Sequence, residues 1–420
     1  MKINTALLAT LFVIPYQPFV LAQGTLTPPG APAPTMKTLD QIEARRPISQ
    51  PGSFPILITQ PGSYYLTKNL AVSSGNGIDI DSHGVSVDLR GFTISSSASP
   101  FSGTGIRVLG ERQNIAIQNG HISGTVTLNG SVYSGSGFQN GVYQASGSVV
   151  RGARVSDISI VGCGNIGIYI AETNSLGATV ERCSVELVGS TGIHAGNVAH
   201  CSVRQCQEGI SAAIVTNSFA AESVETGITA ITATDCTSTL NGGKGIVAHA
   251  ISGCSATRNG TVGLEGREAF PLTGLSGTVT GSTAANNGSI GIHAQVVTGC
   301  AAIGNTTHGI WALGLAKDNL ASQNGRNGLG AGIFFNSNGV RVEGNNCYEN
   351  DWGVQSTPAT NGFIVRNSCR GNAEPATNAS PASSNYDFDR ATNTYGPVIT
   401  VNGDMSANAA ASHPAANIQY

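Results

Sequence analysis

A glycine followed by an aliphatic residue recurs along this chain, and its spacing limits the fold more than any other feature. One period is visible in KGIVAHAISGCSATRNGTVGL, which spans 244–264. Four consecutive intervals, from Gly192 to Gly263, are 17, 18, 18 and 18 residues, and the others run from 18 to 36. The repeated glycines are Gly77, Gly105, Gly141, Gly167, Gly192, Gly209, Gly227, Gly245, Gly263, Gly291, Gly309, Gly332 and Gly353.

Further columns keep fixed distances from these glycines. A repeat near 20 residues with several independent columns is typical of a solenoid, and pieces such as GIVA and CSATRN suit short strands rather than helices. We expect the glycines to turn the backbone at corners and the asparagines to adopt left-handed backbone angles. One column, expected to point inward, is Cys183, Cys201, Ser218, Cys236, Cys254, Ser282 and Cys300. A second column is Asn241, Asn259, Asn287 and Asn305.

The pattern predicts an all-β protein, a single-stranded right-handed parallel β-helix in which like residues stack about 4.8 Å apart. A left-handed β-helix would need an aliphatic residue at every sixth position. The sixth residues after Ile292 are Thr298 and Gly304, so this hexad is absent. The intervals also vary widely, which the right-handed form tolerates.

The first residues predict export. Residues 1–22 begin with the cationic Lys2, continue with an apolar core, and end in small residues that suit cleavage after Ala22. Because Pro15 and Pro18 interrupt the apolar stretch, a membrane anchor is the weaker alternative. We therefore expect a secreted, periplasmic or cell-surface protein.

Five segments follow from these patterns. Between the signal peptide and the repeats, Leu39 and Ile42 share one helical face, Thr38 and Gln41 have capping-box spacing, and Pro47 marks a stop. The predicted segments are a signal peptide (1–22), a Pro-rich linker (23–35), a short N-terminal capping helix (36–50), the β-helix (51–372) and an irregular C-terminal tail (373–420).

The composition limits the kinds of partner that this protein is expected to bind. A formal charge of -3 with only 11% charged residues does not suit nucleic acid, which requires clustered Lys and Arg. No segment after residue 22 is long and apolar enough to span a bilayer. The nine cysteines include no Cys-x-x-Cys pair, and they are predicted to be mostly free, buried thiols. No metal site and no cofactor are expected.

A family resemblance supports the fold. The stretch NGIDIDSHGVSVDLRGFTI, the coil ends NGTVGL and NTTHGI, and the tail NYDFDRATNTYGPVI are similar to secreted bacterial right-handed parallel β-helix repeat proteins of the pectin-lyase-like superfamily. The resemblance covers nearly all of 36–420. It implies the β-helix fold, and it leaves function open, because the group includes polysaccharide lyases, glycoside hydrolases and carbohydrate-binding surface proteins.

The catalytic motifs of the polysaccharide-cleaving members of that group are missing here. The nearest match is NGIDIDSHG, in which Asp79 and Asp81 stand near His83. We interpret it instead as a polar outer strand face with Ile78 and Ile80 inward. No family catalytic residue is therefore transferred to this chain.

The outward position after each Gly-aliphatic pair carries the candidate site. Regularly spaced exposed rings suit sugars, whose C–H faces stack on aromatic rings, although aromatic residues also simply favour strands. Glu265 and His293 are weak candidates for proton transfer, and the insertion GREAFPLTG after Glu265 is a possible overhang. Our ligand-binding candidates are Trp311, Phe334, His293, Glu265, Tyr143 and Tyr169.

Three functions remain open at this point. The first is a secreted or cell-surface β-helix that binds polysaccharide or a cell-surface glycan, without an identifiable catalytic set. The second is a polysaccharide lyase or glycoside hydrolase that works in the same groove. The third is a purely structural surface or adhesion rod.

Overall fold

The structure is a computed structural model, and it describes residues 44–145, 150–170, 177–267, 276–325, 330–358, 360–372, 385–401 and 408–420. The predicted signal peptide, the linker and residues 36–43 of the predicted capping helix lie outside these ranges. The unit Arg45–Tyr420 is the one described below.

Short strands make up nearly all of the regular structure. A single sheet of 37 strands runs through the unit, and within it every pairing is parallel. The described strands are Arg46–Ile48, Ile56–Ile58, Gly62–Leu66, Leu70–Val72, Ile78–Ile80, Val85–Asp88, Thr93–Ser96, Thr104–Val108, Arg112–Gln113, Ala116–Ser123, Thr127–Asn129, Val132–Ser134, Asn140–Gln144, Val150–Arg151, Arg154–Cys163, Ile166–Ile170, Thr179–Glu181, Ser184–Ala199, Ser202–Thr216, Phe219–Ala221, Ile228–Thr234, Thr237–Thr239, Ile246–Ser252, Ser255–Thr257, Leu264–Gly266, Thr278–Thr280, Thr283–Ala285, Ile292–Thr298, Ala301–Ile303, Ile310–Lys317, Leu320–Ser322, Ala331–Phe335, Arg341–Glu343, Asn346–Tyr348, Trp352–Ser356, Phe363–Val365, Ser368–Arg370, Tyr386–Asp387, Thr394–Tyr395, Val398–Thr400 and Asn417–Gln419.

Each coil stacks on the next in register. Ile228 pairs with Ile246 and Ala230 with Ala248, so an inward residue of one coil always lies on an inward residue of its neighbour. One continuous core of small and β-branched side chains fills the interior along the rod. The predicted right-handed parallel β-helix is confirmed.

Left-handed residues turn the coil at two corners, and they are not the residues that the sequence suggested. The residue just before each inward column residue has a positive φ, for example Asp235 (52°), Leu240 (57°) and Arg258 (54°). The column asparagines themselves are not among the positive-φ residues. The expectation that asparagine takes the left-handed angle is therefore wrong.

The repeated glycines also have another role than the predicted one. A Cβ atom on Gly245 would lie 2.5 Å from the carbonyl oxygen of Gly263 and 2.6 Å from Nδ2 of Asn259. Only glycine allows the coils to approach this closely. These glycines are needed for close stacking rather than for turning a corner.

The asparagines form hydrogen-bonded ladders inside the rod. Asn287 donates through Nδ2 to Oδ1 of Asn305 (2.9 Å), and Asn305 donates in the same way to Asn324 (2.9 Å). The ladder satisfies buried backbone groups at the corner, since Asn287 also donates its backbone N–H to Asn305 Oδ1 (3.0 Å). In the C-terminal half, asparagines replace the cysteines and serines of the column that begins at Cys183, and they form a second such ladder: Asn319, Asn345, Asn367 and Asn417.

The thiol column is buried and reduced, as predicted. All nine cysteines are free and buried. The backbone N–H groups of Cys201 and Cys254 donate to the serine Oγ of the next coil, in Ser218 (3.2 Å) and Ser282 (3.1 Å) respectively. A small side chain that also accepts a hydrogen bond therefore fits this corner.

The two ends differ from the predicted segments. Arg46–Ile48 is a strand paired with Tyr64–Leu66, so this part of the predicted capping helix is wrong; Pro47 sits in an edge strand, which lets it forgo a ladder hydrogen bond. At the other end, parts of the tail expected to be irregular join the stack, because Tyr386 pairs with Val354 and Ile418 with Ser368. A 3₁₀ helix, Ala409–Ser412, precedes the last strand. Across the described ranges, no helix has the length and apolarity that crossing a membrane requires.

Candidate functional site

The outward positions after the repeated glycines form one unbroken register, here called the outward column. All six candidate ligand-binding residues lie in it. The column is Leu57, Asp79, Arg107, Tyr143, Tyr169, His194, Ser211, Thr229, Val247, Glu265, His293, Trp311, Phe334, Gln355 and Asp387.

Four rings form what we call the C-terminal ring cluster: His293, Trp311, Phe334 and His308. His293 stacks on Trp311 with ring centroids 4.6 Å apart, and Phe334 meets the edge of Trp311 at 5.1 Å. His308 stacks on Phe334 at 4.2 Å. Trp311 is half-buried, and its Nε1–H donates to Oδ1 of Asn336 (3.2 Å), so the ring is held in one orientation.

A second set of rings, the N-terminal ring cluster, lies further along the same column. Tyr143 stacks on Tyr169 at 5.2 Å, and Tyr169 stacks on His194 at 5.0 Å. A hairpin of Thr127–Asn129 and Val132–Ser134 contacts the strand Ser184–Ala199, and its Tyr133 hydroxyl donates to the carbonyl oxygen of Gln205 (3.1 Å).

Small side chains separate the two ring clusters. Ser211, Thr229 and Val247 occupy consecutive column positions. A cavity of about 370 Å³ opens beside them, lined by Thr226, Thr229, Gly243, Lys244, Val247, Thr261 and Arg267. The column therefore has raised rings at two places and a depression between them.

Glu265 does not project into solvent, although its register position is outward. It is 4% exposed and lies between two cations. Its Oε2 pairs with Lys244 Nζ, and its Oε1 accepts from Arg267 at 2.9 Å from Nε and 2.8 Å from Nη2. Each carboxylate oxygen therefore lies within ion-pair distance of a cation, and Oε1 is the one that also accepts a hydrogen bond. The three side chains together carry one net positive charge at the edge of the cavity.

Burial disfavours the protonated form of the column histidines His194 and His293, and of His308 beside the column. The pKa of His293 is lowered, mainly by burial. The nearby Glu265 acts in the opposite direction, and the cations Lys244 and Arg267 lower the pKa further. Burial also lowers the pKa of His308 to about 4, helped by His293. The backbone N–H of Ala331 donates to Nδ1 of His308 (3.1 Å), so the neutral ring carries its proton on Nε2.

His293 has a buried nitrogen that no described group satisfies. Its Nε2 is shielded from solvent and has no hydrogen-bond partner among the described residues. Such a group usually marks a position where a ligand atom or water completes the arrangement.

Each aspartate of the acidic pair near the first coil is paired with an arginine. Asp79 accepts two hydrogen bonds from Arg107, at 3.0 and 2.7 Å, and Asp81 pairs with Arg112. Ile78 and Ile80 are fully buried. The structural interpretation of this motif holds, and no free carboxylate pair is present there.

Sequence reasoning missed four residues of the site: Lys244, Arg267, His308 and Asn336. Lys244 and His308 both immediately precede a repeated glycine, a column that was not considered. Arg267 follows Glu265 by two residues, the spacing that places side chains on one face of a strand. The insertion expected to overhang the column is 266–274; Gly266 and Arg267 are described, and 268–274 lie outside the described residues. Within the described ranges no three His, Cys, Asp or Glu side chains are grouped as a metal ion would require.

Comparisons with known proteins give structural likeness only. No family model and no curated protein matches the chain. The mannuronan C-5 epimerase AlgE4 A-module of Azotobacter vinelandii is similar at 13% identity and a TM-score of 0.39, over 73% of this chain and 86% of that one. The Dettilon tailspike protein gp208 is similar at 13% identity and 0.32, over 77% and 59%. The DFA-IIIase of Arthrobacter chlorophenolicus A6 is similar at 12% identity and 0.28, over 81% and 87%.

These similar structures are parallel β-helix proteins of the pectate-lyase-like kind. All three TM-scores lie below 0.5, so the fold of this chain rests on its own strand register. The substrates of those proteins are therefore not assigned to this chain.

Proposed function

We propose that this protein is a secreted or cell-surface β-helix that binds polysaccharide along the outward column, without cleaving it. The observation that carries the proposal is the C-terminal ring cluster, in which Trp311 is oriented by Asn336 and flanked in register by His293 and Phe334. Sugar rings stack their C–H faces on such aromatic faces, while their hydroxyls find polar groups at the edge.

Polar groups stand beside those rings. The buried Nε2 of His293 has no described partner, and the cavity next to Glu265 offers threonine hydroxyls together with Lys244 and Arg267. A few placed polar groups around an apolar platform are what fixes the orientation of a bound sugar. The repetition of the platform along the rod favours a polymer over a single small molecule.

The state of Glu265 argues against cleavage. Glycoside hydrolysis usually requires two carboxylates about 5 to 9.5 Å apart, one of them free to give or take a proton. Both oxygens of Glu265 are held by Lys244 and Arg267, and the adjacent column positions are Val247 and His293. The insertion after Glu265 contains one further carboxylate, Glu268, which lies outside the described residues.

A lyase or hydrolase in the same groove is the second candidate. One observation favours it: His293 is a neutral imidazole with an unpartnered nitrogen, next in register to Glu265. A neutral imidazole is able to accept a proton, which here requires that the covered Nε2 become accessible to the substrate.

A glycan array and a reducing-end assay, run on residues 23–420, test the proposal. We expect binding to at least one polysaccharide with no new reducing ends and no unsaturated products. Trp311→Ala should remove most of the affinity, because truncating a ring that anchors a ligand typically costs about 2 kcal/mol or more. Phe363→Ala is the matched control, since Phe363 is an aromatic residue 37% exposed outside the column. Absence of binding to every glycan on the array, or equal losses in the two variants, would refute the proposal.

His293→Phe separates the two candidates. A phenyl ring keeps the stack on Trp311 and removes the nitrogen that could move a proton. A binding protein should release no products before or after this change, whereas an enzyme that uses His293 as a base should lose turnover while retaining binding. Ile292→Ala is the control for effects that act through stability. Because Ile292 points inward in the same strand, this variant should lower the free energy of unfolding by about 2 to 5 kcal/mol.

A further inference from the structure

We infer that the outward column holds one extended polysaccharide chain that contacts both ring clusters at once, with its axis along the rod. The inference rests on the proposed function and specifies the ligand: a polymer long enough to bridge the clusters, rather than a short oligosaccharide.

The distance between the clusters follows from the register. From His194 to His293 the column passes through Ser211, Thr229, Val247 and Glu265, which makes five steps between coils. At the spacing of adjacent strands, about 4.8 Å, the nearest rings of the two clusters are about 24 Å apart. Because the column residues pair directly at every step, both clusters face the same side of the rod.

The segment between the clusters suits a chain that passes over it. Ser211, Thr229 and Val247 carry no ring, and Glu265 is held down by Lys244 and Arg267. No large side chain of the column therefore stands between the ring clusters. The cavity of about 370 Å³ in this segment leaves room for a side group of the polymer, and its threonines and cations offer hydrogen-bond donors to such a group.

The energetic consequence is a length threshold. A ligand shorter than the gap binds one cluster at a time with the affinity of that cluster alone. Once a ligand spans the gap, the second contact becomes intramolecular, and its effective concentration raises the affinity on the order of 10² to 10⁴-fold without any new type of contact. The affinity should therefore rise in one step rather than gradually with length.

The test is calorimetric titration with two size-graded series, xylo-oligosaccharides as a neutral probe and oligogalacturonates as an acidic one, extended by any series that binds on the array. Within a binding series, we expect an oligomer longer than about 24 Å, the gap set by the strand spacing, to bind at least 10²-fold more tightly than a tetrasaccharide. Tyr169→Ala should abolish this step, because it removes the central ring of the N-terminal ring cluster. Phe363→Ala should preserve the step.

The outcomes distinguish the inference from the proposed function. If short oligomers bind in a Trp311-dependent manner but affinity rises smoothly with length, or if Tyr169→Ala leaves the step intact, the bridging inference is wrong and the proposed function stands. If no series shows binding that depends on Trp311, both are wrong. Circular dichroism of Tyr169→Ala guards against a folding defect, because the ring lies outside the core.

Discussion

Asn287 makes four hydrogen bonds inside the rod, and its replacement by alanine tests the ladder that holds the coils in register. Its Oδ1 accepts from the backbone N–H and from Nδ2 of Asn259, both at 3.0 Å. Its Nδ2 donates to Oδ1 of Asn305 at 2.9 Å and to the carbonyl oxygen of Ala256 at 3.1 Å. The side chain is fully buried, so water does not replace these partners.

The magnitude follows from the groups left behind. Asn287→Ala deprives two donors of Asn259 of their acceptor, and a buried unsatisfied group costs about 1–3 kcal/mol. Asn305 keeps one partner, because the backbone N–H of Asn287 still donates to its Oδ1 (3.0 Å). We therefore expect a loss of about 2 to 6 kcal/mol in the free energy of unfolding.

Hydrogen exchange measured by mass spectrometry is the appropriate assay, since stacked repeats are able to open locally and one melting temperature does not describe them fully. Amides of 256–305 should lose protection in Asn287→Ala, while coils far from the change keep it. Asn338→Ala, an asparagine exposed in a turn, should change protection by less than about 0.5 kcal/mol. Equal protection in the wild type and Asn287→Ala would show that the ladder does not stabilise the stack.

Three further changes have definite signs. The pKa of His308 is lowered from 6.5 to about 4, so between these pH values the unfolded chain binds a proton at this histidine that the folded chain does not. The melting temperature should therefore fall as the pH drops from 6.5 towards 4, and it should fall less steeply in His308→Phe. All nine buried thiols should resist a thiol reagent in the native protein and react fully in denaturant without reductant. Gly245→Ala should destabilise by about 1–3 kcal/mol in chemical denaturation, because the added Cβ would lie 2.5 Å from Gly263 O.

The fold was predictable because the columns are set by packing. An inward position that touches its equivalent in the next coil accepts few side chains, so its pattern persists in the sequence. The corner conformation was not predictable in this way. Leu240 and Arg258 both adopt left-handed angles at equivalent corners, and they share no side-chain property that marks them. The asparagine that follows each corner residue is visible because its hydrogen bonds require that side chain.

The candidate site was predictable in its position and not in its chemistry. The spacing placed Trp311, Phe334 and His293 in one column, since outward residues keep the same register as inward ones. Glu265 was expected to face the groove and is instead covered. Its partner Lys244 lies in the preceding coil, and no local pattern connects two residues that meet only after a full turn of the β-helix.

The most direct measurement of ligand contact uses Trp311 as its own reporter. The chain has two tryptophans, Trp311 and Trp352, so Trp352→Phe leaves Trp311 as the single tryptophan, which can be excited selectively at long wavelength. With an oligosaccharide that binds on the array, titrated to saturation, we expect the emission of Trp311 to shift to shorter wavelength and its quenching by iodide to fall, with the same dissociation constant as in calorimetry. Saturable binding that leaves both the emission and the iodide quenching of Trp311 unchanged would contradict polysaccharide binding at this column.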